Sequence, residues 1–314
     1  MKKICVIGSL NVDLVGQMET LPRRGETIQT DSFDQLFGGK GANQAVALGK
    51  LGADVRMVGL LGDLLSGGTY LEALDRSGVQ REAVSVLPGQ YPGIAYVAVE
   101  KSGSNMLFPY PGTNALVSPT YVDAHWESFS ACDIFLFQQE IPPQTNLHAM
   151  KRLTGHPGKT VILDPAPAVP MTAACLPYAD IVTPNETELE LISGLRADSE
   201  DGIRAACAAL HEKGARLVIA KAGGQGAYVS ERDRFTFTPA FSVTAVDTTA
   251  AGDSFNAGLA FGLAKGLDLT ACVTVGHAVA GLSVTGMGAQ SAMPDLATLQ
   301  AFLQDKRPDV AALL

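Results

Sequence analysis

The chain has 314 residues, 46% hydrophobic and 18% charged, long and apolar enough to bury a large core, which excludes disorder as its ground state. Lys and Arg number 23 against 32 Asp and Glu, a formal charge of −9. No basic run offsets that balance, so neither a nucleic-acid partner nor an anionic-membrane surface is expected, and any phosphate site must be local, made of backbone N–H groups and helix ends.

The apolar run 4–10 after Met1-Lys2-Lys3 has the outline of a signal peptide, but Asn11 and Asp13 end it and no small-residue cleavage pattern follows. A first β-strand over 4–7 is the better reading. Short β-branched runs predict further strands over 55–59, 134–137, 160–163, 181–183 and 217–220. Helical spacing predicts helices over 41–51, 199–213 and 254–265. The second carries Ile203, Cys207 and Leu210 on one stripe, with Gly214 as its stop. Residues 271–289 lack charge for about a membrane-spanning length, but their Ala, Gly, Ser, Thr, Val and His277 content predicts a buried helix running into a loop. Buried strands alternating with helices imply βαβ units and a parallel sheet covered on both faces. Two segments break this rhythm. Residues 16–35, with Pro22, Gly25 and Thr27, carry little helical signal, and 94–105 alternate as a strand and then turn at Ser102-Gly103. Both read as strands outside the main sheet, a small β appendage on a single domain spanning 1–314. The five cysteines, at 5, 132, 175, 207 and 272, form no Cys-x-x-Cys pair. They read as small buried hydrophobes of a reducing, cytoplasmic compartment rather than as disulfides or a zinc cluster.

Four motifs have chemical potential. In Phe37-Gly38-Gly39-Lys40-Gly41-Ala42-Asn43-Gln44-Ala45 the glycines permit close backbone approach, and the helix that follows aims its first amides at a ligand. It is no P-loop, because Gly41 follows Lys40; a tight strand-to-helix turn accounts for it equally well. In Asp247-Thr248-Thr249-Ala250-Ala251-Gly252-Asp253-Ser254-Phe255 small residues precede an acid at a helix start. Free N–H groups there can hold the charge of a transferring phosphoryl group, and Asp253 can accept a hydroxyl proton. A plain N-cap at Asp253 is the alternative, although capping does not require the small residues. In Thr183-Pro184-Asn185-Glu186-Thr187-Glu188, Asn185 and Glu188 could share a face near a hydrated Mg²⁺; spacing alone favours a capping box. In Ser9-Leu10-Asn11-Val12-Asp13, at the end of the first strand where open α/β sheets bind ligands, Asn11 and Asp13 point to one side if the strand continues. That pair suits hydroxyl recognition; a polar turn is the other reading. Gly224-Gln225-Gly226 and Gly286-Met287-Gly288 each lack the third glycine of a dinucleotide fingerprint. No Gly-x-Ser-x-Gly elbow or His-Glu-x-x-His pair is present, so a nicotinamide dehydrogenase, a serine hydrolase and a zincin have no support.

Jointly, and over nearly the whole chain, these segments resemble the PfkB family of carbohydrate kinases, most of all its ribokinases. Residues 38–45 are similar to the family's first signature and 247–253 to its second. Residues 9–13, Pro165-Ala166-Pro167-Ala168, 183–188 and Gly288-Ala289-Gln290-Ser291 fall in the family's order. The resemblance implies a three-layer α/β/α fold with a mostly parallel central sheet and a small β-sheet lid over about 14–37 and 91–113, and a lid that clasps a homodimer. It implies transfer of the γ-phosphate of ATP to the 5-hydroxyl of D-ribose, or to another sugar such as 2-deoxyribose or a nucleoside. Asn11, Asp13, Gly39, Lys40, Gly41, Asn43 and Glu140 would bind the sugar. Asp253 would be the base, and Ala250, Ala251 and Gly252 an anion hole. Asn185 and Glu188 would serve Mg²⁺ and phosphate, and Lys221, Gly223, Gly226 and His277 would line the nucleotide. Asp247 and Thr249, with carbonyls of Ser283, Gly286 and Gly288, would form a monovalent-cation loop, usually for K⁺. A non-catalytic sugar-binding relative is the other reading, but binding alone needs no anion hole before Asp253. The chain departs from ribokinases at Asp164 (usually Asn), Leu64 (often Asp), Lys221 (often Thr), Ala292 (often Ser) and over 109–114. These departures bear on the sugar and on K⁺ activation, not on the base.

Overall fold

A computed structural model describes residues 1–65, 67–102 and 104–314, so Gly103 of the expected turn lies outside the described residues. In chain order the strands are β1 (Ile4–Ile7), β2 (Asn11–Met18), β3 (Ser32–Gly38), β4 (Val55–Gly62), β5 (Val79–Leu87), β6 (Gly93–Glu100), β7 (Asn105–Tyr110), β8 (Ile134–Phe137), β9 (Thr160–Leu163), β10 (Ile181–Val182), β11 (Leu217–Lys221), β12 (Gly226–Glu231) and β13 (Arg234–Pro239). Nine of them form the main sheet in the order β13-β12-β11-β10-β9-β8-β1-β4-β5. Pairing is parallel from β11 through β5 and antiparallel from β11 to β13. All six strands read from apolar runs lie in this sheet. β5, β12 and β13 are additional: β5 carries Arg81 and Glu82 and is half exposed along its length, so no continuous apolar run marks it.

Every residue of β1 and β8 is buried, as a parallel sheet covered on both faces requires. Alternate residues serve two separate cores. Ile4, Val6, Ile134 and Leu136 pack with Val46, Leu48, Phe255, Phe261 and Val275 of helices Lys40–Lys50, Ala251–Lys265 and Leu269–Ser283. Cys5, Ile7, Phe135 and Phe137 face Met150, Leu189, Cys207 and Leu210 of helices Pro143–Thr154, Glu186–Ser193 and Glu200–Glu212. The result is three layers, helix on sheet on helix. The helix expected over 199–213 is Glu200–Glu212, capped by the Ser199 side chain accepting from Gly202 N and stopped at Gly214, whose φ is 104°. The uncharged 271–289 stretch is the buried helix Leu269–Ser283 followed by turns, and no helix among the described residues is long and apolar enough to cross a membrane. All five cysteines are free and buried.

The two off-rhythm segments supply a second, four-stranded sheet in the order β3-β2-β6-β7. One expectation needs correction here. The first strand does not run on through residues 9–13: it ends at Ile7, and after Gly8-Ser9-Leu10 the chain enters β2 of the other sheet. Asn11 and Asp13 still share a face, because they alternate along β2. Cross-strand register puts Leu36 and Ala95 opposite Asp13 on that face and sets Phe33, Tyr96, Met106, Phe108 and Tyr110 on the other.

Candidate active site

The site lies where the C-terminal ends of the parallel strands meet the small sheet. Gly39 and Gly41 make this junction possible. Gly39 has a φ of 88°, and a Cβ there would stand 2.7 Å from Asn11 N; at Gly41 it would stand 2.6 Å from Ser9 N. The turn into the Lys40–Lys50 helix thus lies directly against the 8–11 connection. Ser9 Oγ donates to Glu140 Oε2 at 2.6 Å and Lys40 N donates to the same oxygen at 3.0 Å, which fixes Glu140 beside the turn. Asn114 Nδ2 donates to Asn11 Oδ1 at 2.7 Å while Asn114 Oδ1 accepts from Leu10 N at 2.9 Å, leaving the Asn11 amide as a donor. Asp13 Oδ1 is buried with no hydrogen-bond partner among the described residues. Burial, together with the charges of Glu140 and Asp253, pushes the Asp13 carboxyl up to about 7. An orphaned carboxylate oxygen beside an oriented amide suits a hydroxyl-bearing ligand.

The second motif meets this pocket from the other side. Ala250 adopts the left-handed conformation, φ 59°, and the helix begins at Ala251, three residues earlier than expected. Asp253 therefore sits in the first turn and is not the N-cap. Its carboxylate turns inward: Oδ2 accepts from Asn43 Nδ2 at 3.0 Å and Oδ1 from Gln44 Nε2 at 3.3 Å. Only 4% of Asp253 is exposed. Burial raises its carboxyl to about 6, with Asp164 and Glu140 adding to the rise and Lys40 and the Asn43 hydrogen bond opposing it. The Lys40 ammonium, although burial opposes its charge, is held above its ordinary pKa by Asp253, Asp164, Glu140 and Glu188. The first N–H groups of a helix have no intrahelical partner, so those of Gly252 and Asp253 face outward.

They face a cleft of about 810 Å³ lined by Lys40, Asp164, Asn185, Glu188, Lys221, Gly223, Gly226, His277 and residues 250–253. Asn185 and Glu188 form the reciprocal capping box that spacing favours: Glu188 N donates to Asn185 Oδ1 at 2.8 Å and Asn185 N to Glu188 Oε2 at 2.9 Å. Both also stand on the cleft wall, so capping and ligand contact are compatible. Burial pushes the Glu188 carboxyl up, against the pull of Lys221. Burial pushes the His277 imidazole down to about 4, so the ring is neutral, and its Nε2 has no partner among the described residues. Nearby, Asp247 Oδ1 accepts from Thr249 N at 2.9 Å and Thr249 Oγ1 at 2.6 Å, and Oδ2 accepts from Gly288 N at 2.9 Å. Val246 N and Asp247 N both reach Val284 O, so this loop crosses the 283–288 segment that carries Ser283 and Gly286.

For several functional neighbours the sequence carries no signal of the contacts they make. Gln44 lies inside a quoted motif, yet nothing in the pattern says that its amide bridges Asp253 and Asp164, the latter at 3.1 Å. Gln138 Nε2 donates to Gln44 Oε1 at 2.6 Å, and Gln290 Nε2 donates to Asn43 Oδ1 at 3.2 Å. These two contacts orient both amides so that their NH₂ groups face Asp253. Asn114 belongs to a segment noted only as a departure.

The family model for pfkB family carbohydrate kinases matches residues 1–296. A ribokinase of Bacillus subtilis (strain 168) is 38% identical over 294 residues, covering 94% of this chain and 97% of its own. A deoxyribokinase of Salmonella typhi is 36% identical over 303 residues, covering 96% and 98%. The structure of Arabidopsis thaliana ribokinase complexed with ribose and ATP matches with a TM-score of 0.90 at 32% identity, over 96% of this chain and 99% of that one. Two signature motifs converging on one buried carboxylate, in a fold and sequence shared along nearly their full length with these kinases, place the chain in the PfkB family of carbohydrate kinases, transferases that act on an alcohol group.

Proposed function

We propose that this kinase transfers the γ-phosphoryl group of ATP to the 5-hydroxyl of D-ribose, with 2-deoxyribose as the competing acceptor. One observation carries the reading: the buried Asp253 lines the 810 Å³ cleft and also accepts from Asn43 and lies close enough to Asp13 in the polar pocket to raise its carboxyl. The pocket takes the sugar, with Gly39, Lys40, Gly41 and Glu140 shaping its floor; the cleft takes ATP. Asp253 accepts the proton of the attacking hydroxyl, and the N–H groups after Ala250 and Ala251, with Gly252, hold the charge that develops on the phosphoryl oxygens. Lys221, Gly223, Gly226 and His277 line the nucleotide. The small sheet, strands within 11–38 and 93–110, acts as the lid that excludes water.

Asn185 and Glu188 fit a Mg²⁺ that keeps several waters and is carried by the nucleotide phosphates. The Asp247 carboxylate, the Thr249 hydroxyl and the carbonyls of Ser283, Gly286 and Gly288 are the hard oxygen donors we assign to a monovalent cation such as K⁺, which when bound would supply positive charge beside the helix start. The apolar face of the small sheet supports a homodimer: Phe33 on one edge strand, β3, and Phe108 and Tyr110 on the other, β7, are each more than half exposed. Phe108→Lys is expected to shift the sedimentation coefficient to that of a monomer.

The test is ADP release with Mg-ATP and K⁺ across pentoses, hexoses and nucleosides. Selective turnover of ribose is expected. Preference for 2-deoxyribose keeps the mechanism and changes the acceptor; a folded protein silent across the panel overturns the reading.

A further inference from the structure

Lys221, the last residue of β11, and Asp164, just beyond β9, meet in the cleft as an ion pair, Nζ to Oδ1 at 2.9 Å, with side chains 13% and 2% exposed. The second oxygen of Asp164 accepts from Gln44 Nε2, the same amide nitrogen that donates to Asp253 Oδ1. A continuous chain of contacts therefore runs from Asp253 through Gln44 and Asp164 to the Lys221 ammonium. The ammonium also abuts the start of the Ala251–Lys265 helix: a Cβ at Gly252 would lie 3.4 Å from Nζ. A cation against the positive end of a helix is unfavourable by itself. The arrangement becomes favourable when an anion sits between them.

We propose that Lys221 is a catalytic residue that contacts the transferring phosphoryl group, and that Asp164 is the positioning residue that holds it ready. The lysine is a point charge on a flexible stem, so Nζ turns from Asp164 Oδ1 to a phosphoryl oxygen without backbone movement. Asp164, tied through Gln44 to Asp253, keeps the ammonium in register with the attacking hydroxyl. This inference rests on the reading of Asp253 as the base and of the helix start as the anion hole.

The test compares wild type, Lys221→Met, Lys221→Arg, Asp164→Asn, Asp164→Asn with Lys221→Met, and Asp253→Asn in steady-state turnover with the best acceptor and Mg-ATP, alongside calorimetric ADP binding. Loss of Lys221 is expected to lower kcat about 10- to 100-fold, the worth of a hydrogen bond to a charged group. ADP affinity and acceptor KM should stay within about twofold, the pattern of an interaction made only at the transition state. Lys221→Arg should recover part of the loss. Asp164→Asn should lower kcat in the presence of Lys221 and have little effect in its absence. The double variant removes both buried charges and so keeps the fold where a single variant does not. Wild-type kcat in both Lys221→Met backgrounds overturns the proposal, as does a fall in ADP affinity that matches the fall in kcat. An equal cost of Asp164→Asn in both backgrounds overturns the role of Asp164. Unchanged turnover in Asp253→Asn instead overturns the reading of the base, whatever Lys221 does.

Discussion

Asn43 donates a 3.0 Å hydrogen bond to Oδ2 of Asp253, 210 residues further along the chain. Gln44, the next residue, holds the other carboxylate oxygen. The first turns of two helices thus face each other across one buried carboxyl group. Both donors are neutral amides, each oriented by a further glutamine (Gln290 and Gln138), so among the described residues Asp253 is fixed in place without a cation hydrogen-bonded to it. That is the condition a general base requires: it must be oriented, yet still able to take a proton.

Replacing Asp253 with Asn keeps shape and volume and removes the proton acceptor. kcat should fall by about 10²–10⁴, the usual worth of a general base, while acceptor binding by calorimetry persists. Unchanged turnover in a steady-state assay would take Asp253 out of the mechanism.

The Asp253 carboxyl, raised by burial to about 6 against its ordinary 3.8, carries two opposite pH dependences. Catalysis needs the deprotonated form, so kcat/KM should fall about tenfold per pH unit below the pKa of about 6. Stability runs the other way. The folded state binds this proton more tightly than the unfolded state, so the contribution is complete below about pH 4 and is lost as pH rises through about 6. Asp253→Asn should therefore be more resistant to urea than wild type at pH 8, with the gap closing near pH 4. An equal gap at both pH values would show that the buried charge does not govern this site.

The alternation of apolar runs and helices reads directly from residues such as Ile4–Ile7 and Ile134–Phe137, because a strand buried on both faces must be apolar throughout. β5 and β13 do not read this way, since one side of each meets solvent and polar residues interrupt the run. Asn43 and Asp253 are each legible as the polar member of a glycine- or alanine-rich motif. Their pairing is not, because no local pattern encodes a contact made by tertiary packing. The same holds for Gln44 and Asp164: one looks like an ordinary helix residue and the other like a strand end, and only the converging strand ends make them partners.

Asp13 Oδ1 is buried with no partner among the described residues, and its carboxyl is raised to about 7. A sugar hydroxyl donating to that oxygen would replace the hydrogen bond to water that burial removes, the largest cause of the rise. Asp13→Ala should cost about 1–3 kcal/mol of acceptor binding, read as a rise in acceptor KM with the ATP KM unchanged. If only the ATP KM moved, the sugar would lie elsewhere.

The Asp247 loop offers a test that does not touch the reacting groups. Burial alone would raise the Asp247 carboxyl, but hydrogen bonds from Thr249 and Gly288 outweigh it and hold the group below its ordinary range, so it stays ionised. An ionised carboxylate that already joins Gly288 to the 247–249 turn, which runs directly into Ala250 and the helix start at Ala251, would couple a cation bound there to the anion hole. Replacing K⁺ with Na⁺ should lower kcat severalfold, because a larger, more weakly hydrated ion fits carbonyl donors better. Asp247→Asn should abolish the difference between the two salts. Its melting temperature, measured in parallel, separates loss of the ion from loss of the Thr249 and Gly288 contacts. Equal wild-type rates in K⁺ and Na⁺ would mean that this carboxylate serves only to tie the two loops together.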